Sequence, residues 1–458
     1  METPVADFVR GYAESGASRL HMPGHKGRGP LGCELWDITE VAGADELDRA
    51  SGVIARSEEH AAALFGAGAT FYATEGSSQC VKAMLCLALQ CRPAGTPPVV
   101  LAARNVHRSF VYAAALLDFA PVWLWPEGGA DSLCACPVTA EGLERALDAL
   151  RVPPAAVYVT SPDYLGNLQD IPALAAVCHA HGTLLLVDNA HGAYLHFLSP
   201  PCHPLDLGAD LCCDSAHKTL PVLTGGAYLH LAKSAPAELA SSARGALALF
   251  GSTSPSYLTL ASLDLCNAYL AEDYPARLAA FTAELEALRA RLRENGWAAC
   301  PSDPLRLTLD AAASGLTGTD LADLLRQGGV ECEYADGEYT VLMATPENAA
   351  EDLERVLRAL GRNHRPPLPR SSLPPARVER VVSVRQAVFA PRETVPAAES
   401  LGRICGAPAV SCPPAIPIAV SGERIGPEAV ELFRYCGVET VDVVREEALT
   451  AWSLGSPG

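Results

Sequence analysis

Between residues 70 and 230, short apolar runs alternate with longer stretches of helical period. The runs at 70–73, 98–102, 122–125, 156–160, 183–188, 210–213 and 226–230 have the length and apolar character of buried strands. The stretches at 77–91, 107–118, 139–150 and 171–181 space their apolar residues as helices do. Strands that lack a polar face are covered on both sides, so the alternation predicts an α/β domain with a mostly parallel sheet and helices on both faces. Ligands of such sheets bind at the carboxyl ends of the strands. Asp188 ends the most apolar run, Leu184-Leu185-Leu186-Val187.

The flanks read differently. Residues 1–20 predict a short amphipathic helix and lead-in, and 21–55 a Gly/Pro-rich, then acidic, ordered loop. Ser57 followed by Glu58 and Glu59 predicts a capped helix start. Residues 273–298 predict a long helix, with Leu278, Leu285, Leu288 and Leu292 on one face. A strand (305–309), a helix (319–327), two strands (331–335 and 339–344) and a helix (348–361) come next. The expected organisation is therefore a large domain at 1–270, a small α+β domain at 271–363, a Pro-rich linker at 364–377 and a C-terminal α+β domain at 378–458.

Composition narrows the function classes. The 458 residues are 49% hydrophobic and carry a net charge of −19. An acidic chain without basic clusters is not expected to bind nucleic acid. No stretch reaches the roughly 18–20 apolar residues that span a bilayer, so no membrane association is expected. The N-terminus shows no basic and apolar signal-peptide pattern, and the cytoplasm is the expected compartment. Sixteen cysteines are scattered without a C-x-x-C or other zinc spacing. They predict buried thiols in a reducing compartment, and no metal site.

Candidate chemistry gathers at strand ends. Asp188 is followed 30 residues later by Lys218, in Ser215-Ala216-His217-Lys218. This arrangement resembles the one by which a large enzyme class holds pyridoxal 5'-phosphate (PLP), with lysine as the Schiff-base amine and aspartate on the pyridinium nitrogen. Thr74-Glu75-Gly76-Ser77-Ser78 joins a strand to a helix. Its backbone N–H groups and hydroxyls could cradle a phosphate, or simply cap the helix. His107, in Arg104-Asn105-Val106-His107, could lie flat on a cofactor ring or be satisfied by local backbone. The glycine fingerprints of nicotinamide and nucleotide sites are absent.

Taken in order, these pieces resemble the Orn/Lys/Arg decarboxylase family of PLP enzymes, which has the aspartate aminotransferase-like fold (fold type I). The likeness runs through His21-Met22-Pro23-Gly24-His25-Lys26-Gly27, Asp37-Ile38-Thr39-Glu40, Glu46-Leu47-Asp48, Thr74–Ser78, Arg104–His107, Ser161-Pro162-Asp163-Tyr164-Leu165-Gly166, Asp188-Asn189-Ala190-His191-Gly192, Ser215–Pro221 and Thr253-Ser254-Pro255-Ser256-Tyr257. It implies a decarboxylase of lysine, arginine or ornithine that releases CO2 and an amine, as in polyamine biosynthesis. By the same resemblance Lys218, Asp188 and His107 are the catalytic residues: Lys218 carries the cofactor, Asp188 protonates its ring and His107 stacks on it. Gly76, Ser77, Ser78, Ser215 and His217 hold the phosphate or orient the lysine, and His191 lies beside the ring. Ser252 and Thr253 reach the cofactor of a neighbouring subunit, which implies a homodimer with shared active sites. The short lead-in before His21 implies the form without an N-terminal wing.

Four places depart from the family pattern. Glu75 stands for Asn, Asn189 for Glu, and Asp163 and Leu165 for Thr and Tyr. In the region that lies near the substrate's distal end in that family, Cys412-Pro413-Pro414-Ala415 stands for Tyr-Pro-Pro-Gly, and Gly406-Ala407 for Ala-Glu. The alternatives are another PLP reaction on this fold, aminotransferase or lyase, and an inactive regulatory member.

Overall fold

The computed structural model describes residues 1–126, 132–370, 379–407, 409–412 and 416–448. The chain opens with α1 (Pro4–Glu14), a long irregular stretch and α2 (Val53–Leu64). The alternation follows: β1 (Ala69–Ala73), α3 (Ser77–Cys91), β2 (Val99–Ala103), α4 (Arg108–Leu117), β3 (Ala120–Leu124), α5 (Ala140–Asp148), β4 (Ala156–Thr160), α6 (Ile171–Ala180), β5 (Leu184–Asp188), β6 (Leu211–Asp214), the short α7 (Ala216–Thr219) and β7 (Ala227–Leu231). Each strand and helix expected in this region is present to within two residues at either end. Beyond it come α8 (Ala237–Ala248), α9 (Tyr257–Ala271), α10 (Tyr274–Glu294), β8 (Arg306–Asp310), α11 (Gly318–Gln327), β9 (Tyr334–Ala335), β10 (Tyr339–Met343) and α12 (Ala350–Leu360). The last elements are α13 (Val384–Phe389), β11 (Arg392–Pro396), β12 (Ala409–Cys412), β13 (Ile416–Val420), α14 (Pro427–Tyr435) and β14 (Thr440–Val444).

The chain divides into two compact units, each built from several segments. The first holds Met1–Cys91, Asp170–Glu284 and Ala344–Glu347. Its strands lie in the order β1-β7-β6-β5. β5 and β6 are parallel, and β7 runs antiparallel to both its neighbours. Every residue of β6, and Leu185 to Asp188 of β5, is buried, as strands covered on both faces must be.

The second unit holds Arg92–Gln169, Leu285–Met343 and the chain from Asn348. There β4, β2 and β3 pair in parallel, β8-β10-β9 form an antiparallel sheet, and β11-β14 and β12-β13 are two-stranded. The protein is thus mixed α/β with mostly parallel main strands. Among the described residues no helix is long and apolar enough to cross a membrane, and every cysteine whose side chain is described is a free thiol.

Some local expectations are corrected. Helix α2 begins at Val53, so Ser57 lies inside it rather than at its cap. The Ser57 hydroxyl is buried against Tyr72 Oη (2.6 Å) and Asp264 Oδ1 (2.5 Å). The Asp45 carboxylate covers the helix start instead, accepting the N–H groups of Gly52 (2.7 Å) and Ile54 (3.1 Å). The long helix ends at Glu294 and is preceded by the separate α9, where Ser256 accepts from Thr259 N–H. The strand expected at 331–335 shortens to Tyr334–Ala335. Residues 371–377 of the expected linker and Pro413-Pro414-Ala415 lie outside the described residues.

Each unit is tied by a buried carboxylate. In the first, Asp264 on α9 accepts the N–H groups of Val5 (2.8 Å) and Ala6 (2.9 Å) as well as the Ser57 hydroxyl, joining α1, α2 and α9. In the second, Glu423 receives both arms of Arg104 (2.7 and 2.9 Å), the Trp123 indole N–H (3.0 Å) and Val420 N–H (2.7 Å). The Arg104 guanidinium also lies over the Trp123 and Trp125 rings, at 4.7 and 5.0 Å.

Removing either acceptor strands buried donors. Asp264→Ala is expected to cost on the order of 2–4 kcal/mol, and Glu423→Gln about 3–5 kcal/mol. Both should appear as lower urea midpoints. Asp323→Ala, which breaks only an exposed pair with Arg326, should stay within about 0.5 kcal/mol of wild type.

Candidate active site

The first unit brings most of the sequence-selected residues together around two adjacent parallel strand ends. Asp188 closes β5, and its register partner on β6 is Cys213. One residue past β6 the chain turns into α7, so Lys218 sits on a short helix four residues beyond the strand. Lys218 Nζ lies 2.9 Å from His191 Nε2, and His191 follows Asp188 by three residues. Asp188 and His191 are buried, and Lys218 is half-buried. Asp188 Oδ1 accepts from Ala190 N–H (3.2 Å), and the Cys213 thiol approaches it to 3.7 Å. Burial, with the charge of Asp188 adding to it, pushes the Cys213 thiol far above its ordinary range. It stays a neutral donor.

His217 and Ser215 flank the lysine. The Ser215 hydroxyl lies 3.3 Å from His217 Nδ1, which also reaches Gly226 O at 3.2 Å. Burial pulls the His217 imidazole below its ordinary range; the Gly226 contact opposes this and the nearby Lys218 reinforces it. A neutral ring with one hydrogen fits Nδ1–H donating to the Gly226 carbonyl.

The cradle is formed where β1 meets α3. Gly76 takes φ +72°, with open space where a Cβ would stand. Ser77 and Ser78 begin α3, whose first N–H groups have no partner within the helix. The loop is held by Gly76 N–H to Gly225 O (2.8 Å), and a Cβ on Gly225 would come within 2.6 Å of Thr74 O. The departure at Glu75 is harmless to the cradle's interior, because that residue is exposed.

Ser252 and Thr253 are exposed, just before α9. His107 belongs to the second unit. It caps α4, with Nδ1 accepting from Ser109 N–H (3.2 Å) and lying 2.8 Å from the Ser109 hydroxyl. That is the local-backbone reading, and it also fixes the plane of the ring.

In the same unit Asp163 pins its own loop, accepting from Leu165 N–H, Asn167 N–H and the Asn167 amide at 2.8–2.9 Å. Ala407, where the family pattern has an acid, packs against the apolar cluster of Cys405, Ile418 and Phe433. The acid that remains, Glu423, is fully engaged by Arg104. Neither position offers a carboxylate for a cationic ligand.

One cluster went unseen in the sequence. Asp214, His203 and His230, all fully buried, meet beneath the β5–β6 ends. No spacing signals it, since His230 comes from β7, whose pairing with β6 sets it opposite Cys212.

The residues of the first unit fit PLP: an amine on a strand-end turn, a carboxylate on the adjacent strand end, and an open glycine at a helix start lined with hydroxyls. The comparisons agree in kind. Residues 3–308 match the family model described as Orn/Lys/Arg decarboxylase, major domain. Uncharacterized protein YaaO of Bacillus subtilis (strain 168) is 30% identical, covering 96% of this chain and 95% of the relative. An arginine decarboxylase of the same organism is 28% identical over 94% and 92%. The structure of Escherichia coli constitutive lysine decarboxylase superposes with a TM-score of 0.77 at 18% identity, covering 97% of this chain and 82% of that one. The fold is the type I fold of PLP enzymes, and the chain belongs to the Orn/Lys/Arg decarboxylase family.

Proposed function

We propose that this protein is a PLP-dependent decarboxylase of a basic amino acid: arginine, lysine or ornithine. The observation that carries the reading is the meeting of Lys218, His191 and Asp188 at two neighbouring strand ends, beside an anion cradle, in a chain of this family. When bound, PLP supplies the electron sink into which the substrate's Cα–carboxylate bond can break. Lys218 would carry it, and Asp188 would keep the ring nitrogen protonated. Ser77, Ser78 and Ser215 would take the phosphate with hydroxyls and helix N–H groups. His107, its ring already fixed by Ser109, would stack on the cofactor.

The 2.9 Å contact between Lys218 Nζ and His191 Nε2 gives the lysine a proton partner. A neutral amine is needed for attack, and a proton must return to the product carbon. The imidazole can accept the first and store the second. Arginine is the first substrate to test, since relatives that match this chain over nine-tenths of its length are named arginine decarboxylases.

We also infer a homodimer with shared sites in the cytoplasm. Leu20 (95% exposed), Leu31 (82%) and Met22 (65%) crowd one short segment in an apolar display unusual for a solvated surface. Ser252 and Thr253 are exposed, where a second copy could meet them.

PLP added to the wild type is expected to give a visible absorption band that borohydride fixes. Lys218→Ala should show neither the fixation nor CO2 release, with at least about a 10³-fold loss of rate. A wild type that takes up no PLP, or that forms keto acids in place of CO2 and an amine, would overturn the reading. Light scattering is expected to give twice the 48.0 kDa chain mass, whereas a monomer at micromolar concentration would sink the shared-site inference.

A further inference from the structure

Asp214 is a fully buried carboxylate that the proposed chemistry does not use. It ends β6, one residue before Ser215 and four before Lys218. Its Oδ2 accepts from His203 Nε2 (3.0 Å), and His230 Nε2 approaches the same oxygen to 3.4 Å. Its Oδ1 accepts from Asn189 Nδ2 at 2.6 Å.

The far side of His203 fixes its tautomer, and that of His230 permits the same one. His203 Nδ1 accepts from Leu205 N–H (3.4 Å), and His230 Nδ1 lies 2.8 Å from the Thr70 hydroxyl. Each ring can therefore aim an Nε2–H at Asp214. A bound cation would need a lone pair at His203 Nε2, which this arrangement does not leave. Burial works to raise the Asp214 pKa, but His203 and His230 outweigh it and hold the carboxyl well below its usual range. Burial also keeps His230 below its ordinary value. The group is a standing buried anion.

Asn189, the residue after Asp188, is fully buried and held through its side-chain Nδ2 and its backbone, while its Oδ1 has no hydrogen-bond partner among the described residues. Its N–H donates to Cys213 O (3.1 Å), and a Cβ on Gly192 would come within 2.1 Å of its Oδ1. The family pattern has glutamate at this position. A glutamate facing Asp214 would place two like charges together in a fully buried site, which is strongly unfavourable. An amide donates where a second acid would repel.

We propose that Asp214 is a positioning residue of the cofactor floor: through Asn189 it fixes the end of β5, and so Asp188, against the turn that carries Lys218. Its functional consequence rests on the PLP reading above.

The test is a charge-reversal rescue in the full chain, with Asp214→Ala, Asn189→Glu and the double variant Asn189→Glu/Asp214→Asn. Two quantities are read: PLP affinity by absorbance titration, and amide exchange of residues 186–192 in cofactor-free protein. Asp214→Ala and Asn189→Glu should each weaken PLP binding about tenfold or more and speed exchange across the segment. The double variant, in which the acid and the amide trade places, should return to within about threefold of wild type. A double variant no better than Asn189→Glu, or single variants with wild-type exchange, would overturn the proposal. So would stoichiometric metal in the purified protein whose removal by chelator loosens the same segment, since the cluster would then be a metal site. If Asp214→Ala does not fold, the comparison of Asn189→Glu with the double variant still decides. A wild type without PLP uptake counts against the proposed function alone, because exchange judges the positioning role independently.

Discussion

The parallel pairing of β5 with β6 is the constraint on which the first unit's chemistry depends. The register that sets Asp188 beside Cys213 also sets the chain after β6 turning over Asp188. Parallel neighbours end on the same edge of a sheet. Two residues thirty positions apart in sequence therefore arrive at one edge with no loop having to be long or strained. A shift of one residue would turn Asp188 to the opposite face and leave the lysine without its carboxylate. The burial of both strands on both faces makes such a slip costly.

Much of this was legible in the sequence because it is local or periodic. Apolar runs report strands, and glycine before two serines reports a helix start. The Asp188–Lys218 pair was marked by its resemblance to a PLP-holding arrangement, and the rule that ligands bind at strand ends pointed to Asp188. What the sequence hid is what other strands and distant segments supply. Asp45 caps α2 from seven residues before its N-cap, beyond any local capping pattern. Asp214 looks like a turn residue until β7 delivers His230 to it. The Arg104–Glu423 pair joins positions 319 apart in the chain, which no spacing argument reaches.

The departures from the family pattern that fall on described residues are of different kinds. Glu75 points to solvent and Asp163 binds its own loop. Asn189 answers a neighbouring charge. Ala407 fills an apolar niche where an acid would be desolvated. Among these described positions only the last removes a charge that the protein could offer a ligand, because Ala407 carries none and Glu423 is occupied by Arg104.

The Arg104–Glu423 pair also bears on how the chain is made. Arg104 follows β2 directly, so a nascent chain that has built β2, β3 and β4 holds a guanidinium whose counter-ion has not yet left the ribosome. Burying that charge alone is prohibitive, so the unit's interior can close only after residue 423 emerges. The C-terminal segment is therefore no detachable cassette. A gene truncated before it would yield a chain held in a partly open state, exposed to proteases and to its own aggregation.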